Sequence, residues 1–319
     1  MTTKSQVLCI LEKNTGRYVS GEEIASSLSM SRTAVWKAVR SLESEGYLIS
    51  AVSNKGYLLE PSDILSADRI RSLLNPKYAE IDIIVKKSTA STNTDAKGLA
   101  AAGAKHGTVI IADEQTAGHG RRGKAFYSPK GTGIYMSIIA RPGICFSDAV
   151  LITTAAGVAV CKSIESVSTL EPKIKWVNDI FLDGKKVVGI GTEAVSDVES
   201  GTIESVIVGV GLNFKTEEFP EILNNIAGPI FTKDFPLTRN EFIAILLNNL
   251  LEIFEDIPKN KFIDEYRSRS LLIGKDIVFV ENNDWHTAKA IGIDESGGLI
   301  IEVKGKRRTL TSGEVSVRV

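Results

Sequence analysis

Two apolar runs flank the string Ala117-Gly118-His119-Gly120-Arg121-Arg122-Gly123-Lys124. Its three glycines let the backbone approach a ligand closely and adopt positive φ, while two arginines and a lysine place cations around the same backbone. Such a loop suits closure over an anion. Gly118, Gly120 and Gly123 match G-x-G-x-x-G, and the span from Gly118 to Lys124 matches G-x-x-x-x-G-K. Both phosphate-binding patterns require a helix to begin at the last glycine. Here Pro129, Gly131 and Gly133 come next, then the strand-like Ile134-Tyr135-Met136-Ser137-Ile138-Ile139, and Ala125 stands where a P-loop needs Ser or Thr. The favoured reading is a basic loop joining two strands, with a purely structural turn as the bland alternative.

Further along lie Lys175-Trp176-Val177-Asn178-Asp179, then Gly184-Lys185-Lys186-Val187-Val188-Gly189-Ile190, and Gly209-Val210-Gly211-Leu212-Asn213. Asn178 and Asp179 offer hard oxygen ligands for magnesium, and Lys175 and Lys186 can neutralise a triphosphate. The small residues on adjacent strands leave room for a neutral ligand. No Ser-His-Asp, Cys-His or paired-carboxylate arrangement is visible, and Cys9, Cys145, Cys161, His106, His119 and His286 show no metal spacing. The cysteines are expected to be buried free thiols. A substrate carboxylate attacking the α-phosphate of ATP would ask only for alignment and charge stabilisation. Each motif alone has a plainer explanation: Ser91-Thr92-Asn93 as a helix N-cap, with Asn93 able to cap, Lys185-Lys186 as a solvated hairpin, Gly209 and Gly211 as tight packing.

The elements that must position these residues separate into three regions within 319 residues, enough for two or three domains. Residues 1–63 carry three short helical patterns, the third starting at Ser29 or Ser31 with Val35, Val39 and Leu42 on one face. Ser31, Arg32, Thr33, Trp36, Lys37 and Arg40 form a basic, hydrogen-bonding stripe opposite. Two short strands about Ser53-Asn54-Lys55-Gly56 come after it, so the segment reads as a winged helix-turn-helix whose third helix enters the DNA major groove. A small interaction domain is the plainer alternative. Seven Lys or Arg against six Asp or Glu in residues 1–60 imply weak binding by one copy, so two copies would be needed on a two-fold operator. Residues 64–271 alternate strand candidates (81–85, 108–114, 133–141, 173–176, 180–182, 187–194, 205–212) with helix candidates (93–102, 147–166, 239–257). They are expected to form an α+β mixed sheet with helices on one face. Residues 272–319 hold five strand-like pieces, with turns at Asn282-Asn283-Asp284, Ser296-Gly297-Gly298 and Lys304-Gly305-Lys306, and suit a small SH3-like β-barrel. A net charge of −1 excludes a general nucleic-acid coat, and the absence of an apolar run of 18 residues or a signal-like N-terminus predicts a cytosolic protein without membrane contact.

Taken together and in order, Ser91-Thr92-Asn93, the loop from Gln115 to Gly123, Lys175 to Asp179, Lys186 to Ile190 and Gly209 to Asn213 resemble the biotin protein ligases of the bifunctional type that also act as biotin operon repressor. The resemblance spans nearly the whole chain, including the winged helix and the C-terminal barrel. It implies biotin and ATP with Mg2+, condensed to biotinyl-5′-AMP, followed by transfer of biotin to a lysine of a biotin carboxyl carrier protein. It implies a biotin site formed by Ser91, Thr92, Asn93, Gln115, Gly118, His119, Arg121, Lys186, Gly189 and Gly209. Lys186 and Arg121 would be catalytic, and Arg122, Phe126, Lys175, Asn178, Asp179, Gly211 and Asn213 would serve ATP and magnesium, Asp179 as the metal ligand. It further implies operator DNA as a partner and a homodimer promoted by biotinyl-AMP. The chain departs from the family pattern at His119, often arginine, at Phe126, usually tryptophan, and at Val177, usually proline. Two other readings stay open: a transcription factor that merely senses a small acid, and a lipoate ligase of the same fold.

Overall fold

The computed structural model describes residues 2–14, 16–120, 123–141, 149–196, 203–257, 261–281, 284–311, 313 and 315–317. The chain divides into two compact units, one of residues 1–73 with Thr238–Glu241, the other of Leu74–Leu237 with residues 242–319.

In the first unit, α1 (Thr3–Lys13), α2 (Gly21–Ser27) and α3 (Arg32–Glu45) each begin where a hydroxyl can take an orphan amide. Thr2 accepts from Ser5 N, Ser20 from Glu23 N and Ser31 from Ala34 N. Of the two expected starts for the third helix, Ser31 is the cap, and Gly46 ends α3 at φ 108°. Val7, Leu11, Ile24, Val35, Val39 and Leu42 form the buried core. The hairpin of β1 (Ile49–Val52) and β2 (Gly56–Leu59) makes the wing. Beyond residue 63, α4 (Ala67–Leu73), too short to show a periodic pattern, also packs within this unit. Arg69 pairs with Glu12 at 3.4 Å, and Arg239 donates to Asp63.

The second unit is built on a seven-stranded sheet of order β3-β4-β5-β9-β8-β7-β6, comprising β3 (Ile83–Lys86), β4 (Val109–Ala112), β5 (Ile134–Ala140), β6 (Lys173–Lys175), β7 (Asp179–Leu182), β8 (Lys185–Ser196) and β9 (Ile203–Leu212). β3 and β4 run parallel and the other neighbours antiparallel, so the sheet is mixed as expected. The apolar helix α6 (Ala149–Glu165) packs on one face, where Thr153 Oγ1 donates to Thr192 Oγ1 and Gly157 approaches Ile174 and Ile180. The expectation of helices on one face alone does not hold: on the opposite face α5 (Thr92–Ala101) sets Ala96 and Ala100 against Ile110, Ile139 and Ile207, the small side chains letting the helix lie close. α7 (Arg239–Asp256) and α8 (Ile263–Ser268) come next, and Tyr266 of α8 is fully buried with its hydroxyl donating to Val177 O.

The C-terminal residues form a five-stranded antiparallel sheet, β13-β12-β11-β10-β14, from β10 (Asp276–Glu281), β11 (Asp284–Ile293), β12 (Leu299–Val303), β13 (Lys306–Leu310) and β14 (Val315–Val317). The expected turn residues Asn282 and Asn283, and Cys145, lie outside the described residues. Cys161 is buried, and burial pushes its thiol up to about 12, which agrees with an inert core role, whereas Cys9, also a free thiol, is only half-buried.

Candidate functional site

The chemistry of the site begins with four residues that contribute no side chain. On β8 and β9, Gly189 pairs with Gly211 and Gly191 with Gly209, while β5 sets Tyr135 opposite Gly211 and Ser137 opposite Gly209. Strand alternation puts all of these on one face, so the sheet presents a trough with no Cβ atoms across two strands. Two side chains occupy its ends. The Phe126 ring lies where a Cβ on Gly211 would come within 2.7 Å of it, and Asn93 lies directly over Gly209, so neither position tolerates a larger residue without displacing its neighbour.

Lys186 reaches this trough through an irregularity. By simple alternation it would face away from Gly189, but the register slips between Ile180 and Phe181, so Phe181 opposes Lys186 and Val187 is the extra residue. The bulge returns the ammonium to the glycine face, where Nζ sits 2.6 Å from Asp179 Oδ1. Trp176 donates its indole N–H to Gly297 O in the C-terminal residues, and Lys175 Nζ is 3.4 Å from Ser316 Oγ. The Trp176–Val177 peptide is cis. Asn178 Nδ2 donates to Ile190 O, fixing β7 against β8.

At the other end of the trough Ser91 occupies the N-cap position of α5 without capping it. Gln115 Oε1 accepts the amide of Thr92 instead, at 2.9 Å, which leaves the buried Ser91 hydroxyl to the cavity. Asn93, the second residue of the helix, is not a cap. Its Oδ1 accepts from Ser137 Oγ at 2.6 Å and its Nδ2 donates to Glu193 Oε1 at 2.7 Å. Gln115 Nε2 donates to Ser128 Oγ, which donates to Phe126 O. Glu193 is held by burial, which raises its pKa, and by bonds from Lys97 and Asn93 together with the nearby charges, which outweigh it; the carboxyl lies below its ordinary value.

The basic loop is a hairpin-like closure: Phe126 N donates to Gly118 O and Gly120 N to Lys124 O. No α-helix begins at Gly123, so the two phosphate-loop patterns lack the helix they require. Arg121 and Arg122, expected at the centre of the chemistry, lie outside the described residues.

These pieces enclose a cavity of about 170 Å3. It brings together Ser91, Thr92, Asn93, Gln115, His119 and Phe126 from one side with Lys175, Asn178, Asp179, Lys186, Gly189, Gly209 and Gly211 from the other. Two expected residues do not reach it. Gly118 is packed against Ser128, Gln115 and Phe126, and Asn213 is buried with its amide on Gly228 O and Lys186 O, where it holds the backbone beneath Lys186. Sequence reasoning missed Trp176, Tyr135, Met136, and Gly313 and Val315 near the C-terminus as lining residues. It also missed Ser137 and Glu193, although the period-two runs 135, 137 and 189, 191, 193 carry both. Among the described residues no cluster of three His, Cys, Asp or Glu could hold a metal by itself.

In the first unit, Ser31, Arg32, Thr33, Trp36, Lys37 and Arg40 lie on the solvent side of α3 and its cap, opposite the buried Val35, Ala38, Val39 and Leu42. The Arg40 guanidinium lies 5.6 Å from the Trp36 ring centre and pairs with Glu43.

A helix-turn-helix with a wing, and an α+β domain with a cationic, glycine-floored cavity, define a DNA-binding ligase class. The chain matches the models of the Biotin/lipoate A/B protein ligase family over residues 85–213, of the HTH domain over 3–58 and of the Biotin protein ligase C terminal domain over 272–318. It is 33% identical over 323 residues to the Bifunctional ligase/repressor BirA of Bacillus spizizenii, covering 99% of each chain, and 28% identical to that of Escherichia coli, covering 95% of this chain and 94% of that one. Among solved structures it is similar to a biotin protein ligase from Aquifex aeolicus in complex with biotin and ATP, with a TM-score of 0.64 and 26% identity, covering 74% of this chain and 98% of that one. Within the class, the chain belongs to the bifunctional biotin protein ligase and repressor family.

Proposed function

We propose that this protein joins biotin to ATP and then to a lysine of a carrier protein, and that its adenylate-bound form represses transcription. The observation that carries the reading is the cavity in which a lysine ammonium, a polar floor and an aromatic ring converge on a side-chain-free trough. In the first step an oxygen of the biotin carboxylate attacks the α-phosphorus and pyrophosphate leaves. In the second the acceptor lysine amine attacks the acyl carbon, AMP leaves and the amine loses a proton. The protein supplies no nucleophile. Lys186 neutralises the carboxylate and the α-phosphate as they approach, and Arg121 adds charge to the intermediate. Ser91, Thr92, Asn93, Gln115, His119, Gly189 and Gly209 hold the biotin ring and chain, while Phe126, Gly211, Lys175 and Asn178 accommodate the nucleotide.

Asp179 is the carboxylate placed to meet a magnesium ion carried in on the triphosphate, and one carboxylate with phosphate and water oxygens is an ordinary set for that ion. Magnesium, when bound, offsets triphosphate charge. Closure of residues 117–133 over the adenylate keeps water from the anhydride. A carrier protein and an operator as partners put the reaction in the cytoplasm; no helix among the described residues is long and apolar enough to cross a membrane. The adenylate, retained while acceptor is scarce, favours a homodimer that sets two α3 helices on a two-fold operator. The domain limits that go with this reading are 1–63, 64–271 and 272–319.

The test is pyrophosphate release by the full chain with MgATP, dependent on biotin and not on lipoate, followed by transfer of labelled biotin to a carrier-domain lysine. Release without biotin, or with lipoate in its place, would sink the reading. Operator affinity unmoved by biotinyl-AMP in a gel-shift titration would remove the repressor half.

A further inference from the structure

We infer that Glu193, which touches no substrate position, is a positioning residue that sets the direction of the hydrogen bonds beneath the cavity and thereby its selectivity for a ring bearing one carbonyl and two N–H groups. The inference rests on the ligase reading above. An ionised carboxylate can only accept. Glu193 Oε1 therefore draws the Nδ2 side of Asn93 toward itself at 2.7 Å, and Asn93 must turn Oδ1 to Ser137. That carbonyl takes the one proton Ser137 has. Ser137 Oγ is then left an acceptor toward Thr92 Oγ1, 2.8 Å away, and the Thr92 hydroxyl turns its proton to it; Gln115 is oriented separately, its Oε1 on the Thr92 amide and its Nε2 on Ser128 Oγ. The sense in which Asn93, Ser137 and the Thr92 hydroxyl are bonded beneath the cavity is thus decided at the Glu193 end.

Three further observations agree. Lys97 pairs with Glu193 Oε2, His119 Nε2 of the basic loop lies 4.0 Å from Oε1, and the net effect of these neighbours keeps the carboxyl ionised at neutral pH. The group is not a surface ornament, since Asn93 and Ser137 are buried. An amide in place of the carboxylate could present either end to Asn93, and the chain of bonds would lose its direction with no change of volume.

The experiment uses the full chain and three variants, Glu193→Gln, Asn93→Asp with Glu193→Gln, and Lys97→Met, with KM for biotin and for MgATP read by pyrophosphate release. Glu193→Gln should raise KM for biotin about tenfold or more, as a mispaired buried polar group does, with KM for MgATP and kcat within about threefold. In the double variant, a carboxylate at 93 accepts both from the new amide and from Ser137, so the direction returns and KM for biotin should fall at least about threefold below that of Glu193→Gln. Lys97→Met keeps the acceptor and should move KM for biotin less than about threefold. Should Glu193→Gln fail to fold, Glu193→Ala is read in its place: a folded Glu193→Ala enzyme with unchanged KM for biotin overturns the inference. So does a Glu193→Gln enzyme with unchanged KM, or a Lys97→Met enzyme as impaired as Glu193→Gln. Wild-type protein inert toward biotin would refute the ligase reading and this assignment with it, whereas active wild type with an insensitive Glu193→Gln refutes this assignment alone.

Discussion

Replacing Lys186 by glutamine separates binding from chemistry. In the structure Nζ is 2.6 Å from Asp179 Oδ1, and the two side chains keep 30% and 25% of their exposure. A pair so exposed contributes about 0–1 kcal/mol to folding, so the melting temperature should move little. The catalytic effect is larger. An ammonium about 4 Å from a carboxylate or phosphate oxygen contributes about 4 kcal/mol at an effective dielectric of about 20, and solvent at this partly open position reduces that to roughly 3–4 kcal/mol. At about 1.36 kcal/mol per decade, adenylate formation should slow by about 10²–10³. Biotin binding should weaken by less than about tenfold, because the ring contacts at the other end of the trough are untouched. Lys186→Gln also strands the Asp179 carboxylate beside two incoming anions. The control is Lys186→Gln with Asp179→Asn, which should recover biotin affinity but not the single-turnover rate. Rapid-quench measurement of biotinyl-AMP against a calorimetric biotin titration reads both. Equal losses in rate and affinity, or a rate within about tenfold of wild type, would refute the role given to Lys186.

The trough, the sheet end and the recognition helix each offer a separate check. Gly211→Ala places a Cβ 2.7 Å from the Phe126 ring; overpacking of this kind costs about 1–3 kcal/mol, and KM for ATP should rise about tenfold while an unchanged KM would show that the ring does not border the nucleotide. His106, whose Nδ1 accepts from Arg141 N, is held below its ordinary 6.5 by burial against a smaller opposite push from Glu255. The unfolded chain then binds a proton the folded one resists, so this part of the stability is complete above pH 6.5 and lost as pH falls below it. Melting curves from about pH 7.5 to about 5.5 should decline less in His106→Gln, and parallel curves would exclude the residue. Lys37→Ala removes an exposed cation from α3, which should weaken operator binding and lower the salt slope by about one without changing biotin transfer; an unaltered slope means Lys37 meets no phosphate.

Local rules account for the part of the architecture that was legible in the sequence. The start of α3 at one of the two expected serines and the helix of Arg239–Asp256 follow from capping and apolar spacing within one segment, whereas the helix α3 runs past the expected Leu42 to Glu45. So is the failure of the phosphate-loop patterns, since proline and two glycines after Lys124 forbid a helix wherever the segment is placed. Membership of the site is another matter. Asn93 carries the local signature of a cap and is not one, because it lies inside α5 and its side chain is taken by Ser137 and by Glu193, one hundred residues away.

Lys186 shows the limit most clearly. Its type marked it as a phosphate partner, yet strict alternation along β8 would point it away from the glycines, and only the slip opposite Ile180 and Phe181 restores it. That slip depends on β7 offering no partner to Val187, which no reading of β8 alone contains. Glu193 is the converse case. It lies at the expected spacing from Gly189 and Gly191, but a glutamate two residues beyond a glycine pair is an ordinary surface residue until Asn93 is seen above it. Gly313 and Val315 enter the cavity from the C-terminal residues, which Trp176 holds close through its bond to Gly297 O. Chemistry-bearing residue types are thus visible in advance, whereas the directions in which they point are properties of strand pairing, and the assignment of Glu193 is an argument about direction.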